Sequence, residues 1–243
     1  IFLLPKIPRG EAGGLPPHCV RSHFSHHLIL ARVIAKFLCH VSQTMTKPAT
    51  RIQQKKRTAI LQAALDVFSQ YGFRGATVDQ IATAAGLSKP NLLYYFPSKA
   101  AIHVALLSSL LDLWLDPLRD LDPDGDPIAE ILKYAAGKLD LSRDYPRESR
   151  LFANEVLQGA PRLSDGFPAL KTLVDEKAQV IRTWAESGKI ADIDPYHLIF
   201  LIWAQTQHYA DFDVQVRAVL GHNDPYPKAA EFLDHVLHRT LTP

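Results

Sequence analysis

Between residues 77 and 99 the chain collects hydroxyl, amine, amide and phenol groups around one proline: Thr77, Ser88, Lys89, Pro90, Asn91, Tyr94, Tyr95 and Lys99. Such groups suit the phosphate oxygens and base edges of a nucleic acid. Covalent chemistry would need a poised nucleophile or paired carboxylates, and the chain has no nucleophile elbow, P-loop or glycine-rich dinucleotide fingerprint. A second constellation is Trp114, Trp203 and Gln207. Gln207 lies four residues after Trp203 and so shares its helical face. An indole can hold a flat ring while an amide offers the ring's edge one donor and one acceptor; the same residues also read as ordinary core, with Gln207 bonded to backbone. His208 and Asp211 are spaced for metal ligation, but two residues do not make a site. No enzyme, metal or other cofactor is expected.

These groups must be positioned by helices. Ile52 to Tyr71 carries an apolar stripe at Ile60, Leu61, Ala64, Leu65, Val67 and Phe68, with Lys55, Lys56 and Arg57 near its start. Gly72 is its expected C-cap. Thr77 then caps Val78 to Ala85, with Gln80 completing a capping box. Gly86, Leu87 and Ser88 form a turn, and Ser88 caps Lys89 to Tyr95. Ser98 caps a long helix from Lys99 to about Leu115. After a loop over Asp120 to Pro127, helical patterns recur at Ile128 to Ser142, Arg147 to Leu157, Pro168 to Ser187, Pro195 to Phe212 and near Pro227 to Arg239. No alternating β-branched run and no repeat appears, so the fold class is all-α.

The net charge of +2 conceals a division. Residues 45–99 hold eight Lys and Arg against two acidic residues, a net of +6, while residues 100–243 hold 14 against 22, a net of −8. A basic module on an acidic body lets one end alone approach a polyanion. Residues 1–44 differ in character, with both cysteines, five of the eleven histidines and no periodicity, and the only methionine, Met45, follows them. We read them as an upstream extension of the reading frame, non-native or disordered. His26 to Val41 is too short and too basic to span a bilayer, and no good signal-peptide cleavage site follows it. From Met45 onward there is no cysteine, which excludes disulfides there and suits a cytoplasmic protein with no membrane partner.

Two short helices around a three-residue turn match the helix-turn-helix pattern, although similar pairs occur in cores that bind no DNA. The residues themselves go further. Phe68 to Phe73, Thr77 to Ser88 and Leu93 to Lys99 resemble the signature of the TetR family of transcriptional regulators. That resemblance implies an N-terminal helix-turn-helix DNA-binding domain at 45–99 and a helical effector-binding and dimerisation domain at 100–243. It places Thr77 and Lys99 on phosphates, and Ser88, Lys89, Pro90, Asn91, Tyr94 and Tyr95 on the recognition helix, Tyr95 also reading as a packing residue. It further implies a repressor that acts as a homodimer on double-stranded operator DNA and is released by a small-molecule effector. In the body, Leu141 to Pro146, Gly159 to Pro161, Asp194 to Phe200 and Trp203 to Phe212 are similar to pyrimidine-responsive members of that family. By that likeness Trp114, Trp203 and Gln207 contact a pyrimidine such as uracil or thymine. Asn154 departs from the pattern, standing where those members carry an apolar residue. The alternatives are a TetR-type regulator of another small molecule and, from a different class, a helical enzyme or structural module.

Overall fold

Thr50 opens the first helix by accepting a hydrogen bond from Gln53 N (3.3 Å) while Gln53 Oε1 accepts one from Thr50 N (2.9 Å). Our computed structural model describes residues 50–243 apart from residue 222; the expectations for residues 1–44 and the arm at 45–49 lie outside the described residues. The elements are α1 (Arg51–Gly75), α2 (Val78–Ala84), α3 (Lys89–Tyr95), α4 (Lys99–Arg119), α5 (Pro127–Asp144), α6 (Pro146–Leu157), α7 (Phe167–Glu186), α8 (Pro195–Asp211), α9 (Asp213–Leu220) and α10 (Tyr226–Leu241). Among the described residues there is no strand, as the sequence leads one to expect of an all-α chain.

Two helices end differently from expectation. In α1, Gly72 does break the helical conformation (φ 66°, ψ 172°), but one further turn runs on to Gly75. In α4, Pro117 does not stop the helix, because it sits in the last turn, where Arg119 bonds Asp112 and Asp116 at 2.8 Å each and holds the end wound. Gly137 of α5 receives the Pro117 ring; a β-carbon there would lie 3.2 Å from Pro117 Cβ. Helix α9 was unforeseen. Of its residues only Val216 is buried, while Val214 and Val219 are 85% and 77% exposed, so it writes no apolar stripe into the sequence.

Two main cores follow. The first joins α1 to α3 with the first half of α4 through Ile60, Leu61, Leu65, Phe68, Ile81 and Leu92, and ends at Trp114. The second joins the end of α4 to α5, α7, α8 and α10 through Leu118, Ile131, Ile199 and Leu237. Each fully buried Leu or Ile contributes about 1.5–3 kcal/mol. Helix α4 belongs to both cores. It also has the length and apolarity to cross a membrane, yet 61% of that apolar window is buried within the protein, as in a core helix.

Candidate nucleic-acid interface and effector site

Helices α2 and α3 are held at their turn by local chemistry. Gly86 takes φ 65°, and Leu87 N donates to Ala82 O at 2.9 Å. Thr77 Oγ1 accepts from Gln80 N (3.2 Å), and Ser88 Oγ accepts from Asn91 N (3.4 Å). Leu92 and Phe96 anchor α3 in the core. What remains outward is the expected set: Thr77, Ser88, Lys89, Pro90, Asn91 and Tyr94 are all exposed, Tyr94 to 74%. Lys89 Nζ reaches Asp79 Oδ2 of α2 at 2.8 Å, a pair open to solvent and so of small energetic value. Tyr95 is half-buried against the core with Tyr94 edge-on at 5.2 Å, so it packs and borders the surface at once. Arg57 of α1 donates to the Tyr95 carbonyl (2.8 Å), with its guanidinium 4.2 Å above the Phe96 ring.

Lys99 is placed differently from the other expected DNA contacts. Its ammonium donates to the carbonyls of Phe73 and Ala76, both at 2.7 Å, and lies 4.6 Å over the Phe73 ring. Two of its three N–H groups therefore point inward, tying the start of α4 to the segment between α1 and α2.

In the body, Trp114 is 4% exposed and its Nε1 has no hydrogen-bond partner among the described residues. Above its ring, at 5.2 Å, sits the ammonium of Lys138, a lysine only 3% exposed. Lys138 makes no side-chain hydrogen bond among the described residues. Burial pushes its pKa down to about 8, with Asp211 pulling the other way. Asp211, itself raised by burial, accepts from Ser149 Oγ at 2.5 Å. One turn before Lys138 on the same face of α5, Tyr134 Oη accepts from Trp203 Nε1 at 2.6 Å. Burial holds the Tyr134 phenol well above its usual range, hence neutral.

Trp114 and Trp203 thus lie in different cores, and α5 is the element that connects them. Gln207 is half-buried one turn beyond Trp203, and its amide makes no hydrogen bond among the described residues, so it is not consumed by backbone. Tyr134, Lys138 and Ser149 were missed by sequence reasoning. The available signal was Lys138 in a buried stripe with Ile131, Tyr134, Ala135, Leu139 and Ser142, where a lysine is out of place. His208 stacks on Phe212 at 5.0 Å, and among the described residues no three His, Cys, Asp or Glu side chains gather as metal ligands.

A separate open cleft of about 1360 Å³ runs between the C-terminal part of α1 and one face of α6, with His103 of α4 and the loop at Arg162 completing it. Asn154 lines this cleft, whereas Trp114, Trp203 and Gln207 do not.

Residues 60–106 match the family of bacterial regulatory proteins described as the tetR family, and residues 107–243 match the C-terminal region of YcdC-like proteins. The chain is 55% identical over 177 residues to the HTH-type transcriptional regulator RutR of Escherichia coli, covering 72% of this chain and 84% of the relative. It is 32% identical over 148 residues to the HTH-type transcriptional repressor NicS of Pseudomonas putida, covering 59% and 68%. The fold is similar to the solved structure of the ketosteroid transcriptional regulator KstR2 of Mycobacterium tuberculosis, with a TM-score of 0.60, 19% identity, and coverage of 77% of this chain and 95% of that one.

Proposed function

Because this chain belongs to the TetR family of bacterial transcriptional regulators, not to a family of enzymes, we propose that it is a repressor of pyrimidine or nucleobase metabolism genes, released from operator DNA by a ligand such as uracil or thymine. TetR regulators bind operator DNA and act as dimers with small-molecule effectors. In this reading residues 45–99 form the DNA-binding domain and residues 100–243 the effector-binding and dimerisation domain of a cytoplasmic homodimer. Thr77, Ser88, Lys89, Pro90, Asn91, Tyr94 and Tyr95 meet phosphates and base edges of the major groove, and Lys99 braces the helix that carries the signal. Two such heads meet half-sites about one helical turn, ~34 Å, apart.

The observation that carries the ligand assignment is the buried Trp114 Nε1, a donor with no acceptor among the described residues, lying beneath the ammonium of Lys138, which makes no side-chain hydrogen bond among them either. Buried donors left unmatched cost about 1–3 kcal/mol each, so their natural complement is a flat ligand with carbonyl oxygens at its edge. Uracil and thymine carry two. Trp203 and Gln207 supply a further ring face and an amide, and the likeness of the body to pyrimidine-responsive relatives supports the same choice. Coupling runs along α4: Trp114 lies fifteen residues beyond Lys99, about 22 Å at 1.5 Å per residue. A ligand that prefers the DNA-free position of α4 weakens operator binding by its differential affinity, typically about 1–3 kcal/mol.

The test is a mobility shift with the protein and its own upstream intergenic DNA, with and without uracil and thymine. Release by either supports the proposal; retention with both discards the pyrimidine, and absence of salt-sensitive binding discards the regulator.

A further inference from the structure

We infer that the cleft between α1 and α6 is a second ligand site, for a small anion bearing carboxylate or phosphate groups, which joins the DNA-reading head to the body. The inference does not depend on the pyrimidine assignment, since the two sites share no residue. Its basis is the charge that remains once the internal pairs are made. Four arginines line the cleft, Arg74 from the head and Arg147, Arg150 and Arg162 from the body, against two carboxylates, Asp66 and Glu155. Asp66 takes Arg147 at 2.6 Å. Glu155 takes Arg162 at 3.3 Å and its backbone N at 2.9 Å. Arg74 then has no ion pair or side-chain hydrogen bond among the described residues, and Arg150 gives a single hydrogen bond, to the Ala210 carbonyl at 2.9 Å.

Among the lining residues the surplus is thus two guanidiniums, one on each wall; behind the cleft Asp211 lies near Arg150 without an ion pair to it, its carboxylate bonded to Ser149 and shared with Lys138. Guanidinium forks bind carboxylate and phosphate oxygens in pairs and with charge assistance. Asn154 follows Arg150 by one turn on the exposed face of α6 and Gln158 caps the end of that helix, and neither amide is engaged among the described residues. They add neutral donors beside the charge. The floor brings no charge of its own: His103 is 2% exposed and its pKa is depressed to about 4 by burial and by Arg162 and Lys99, so it is a neutral imidazole. An anion held by Arg74 and Arg150 together bridges α1 to α6 and fixes the head against the body, so that metabolite and operator become linked.

Isothermal titration of the full chain with citrate and, separately, with pyrophosphate, at ionic strength held constant with chloride, tests this. One saturable event per chain is expected, weakened about tenfold or more in Arg74→Gln/Arg150→Gln. Asn154→Asp, which keeps every arginine and places a negative charge in the cleft, is expected to weaken it as well. Saturation by citrate alone assigns a carboxylate ligand and by pyrophosphate alone a phosphate. No saturation by either probe up to about 10 mM, or equal affinity in both variants, overturns the inference.

Discussion

Replacing Lys138 by methionine should make the protein more stable and, in the proposed reading, blind to the pyrimidine. The lysine is 3% exposed, and its pKa falls from 10.5 to about 8. A folded-state pKa below the unfolded one means that the unfolded chain binds more protons between pH 8 and 10.5, so stability rises with pH across that window. Below pH 8 the charged form carries the whole penalty, at about 1.4 kcal/mol per unit roughly 3 kcal/mol. Lys138→Met removes that penalty but also takes away a charge that favours ionised Asp211, which keeps Ser149 and the nearby Arg150. The net gain at pH 7 is therefore about 1–3 kcal/mol. Urea unfolding of both proteins at pH 7 and pH 10 measures it. The variant's advantage should be full at pH 7 and mostly gone at pH 10, while uracil binding is lost at pH 7. An advantage that is the same at both pH values, or a variant less stable at pH 7, refutes the assignment of a strained buried ammonium.

Tyr94→Ala, at a side chain 74% exposed, should leave unfolding within about 0.5 kcal/mol of the parent yet weaken operator binding by about 1–3 kcal/mol in fluorescence anisotropy. Lys99→Met strands the Phe73 and Ala76 carbonyls and should cost about 1–3 kcal/mol in denaturant unfolding. A brace leaves the salt dependence of DNA binding unchanged, whereas loss of a phosphate contact lowers its slope by about one. Gly137→Val forces branched bulk against Pro117 Cβ, already 3.2 Å from a β-carbon, and should lower stability by about 1–3 kcal/mol on the same assay.

What the residues disclosed in advance follows the range of the interactions. Thr77, Gln80, Gly86 and Ser88 act on neighbours three or four positions away, so the head could be read almost helix by helix. Gly72 was rightly placed as a break, but the extra turn to Gly75 is closed by Ala76 N donating to Gly72 O, a detail no stripe records. Helix α9 escaped because seven of its eight residues keep contact with solvent, leaving Val216 as its single buried anchor. Spacing joined Trp203 to Gln207, and only the family likeness joined Trp114 to them, whereas the link between the two tryptophans through Tyr134 and Lys138 depends on how α5 packs across α4 and α8. Lys99 shows the converse: a lysine at a helix start invites a phosphate, and the nearer backbone carbonyls claim most of it.

The bond from Arg57 to the Tyr95 carbonyl, together with the grip of Lys99 on the carbonyls of Phe73 and Ala76, bears on how such a regulator is tuned over evolution. The last residue of the reading helix and the start of the helix that follows are thus both welded to the scaffold, so an incoming signal can tilt or translate the three-helix unit but has little leverage on its internal shape. In a dimer the switched quantity is then the separation of two unchanged heads. In the proposed reading, operator vocabulary and chemical sensitivity become separable traits: substitutions on the outer face of α3 rewrite the address, those around α5 rewrite the stimulus, and neither need disturb the other. An operator with one base pair inserted between its half-sites would probe the separation directly, without touching a single base that the heads contact.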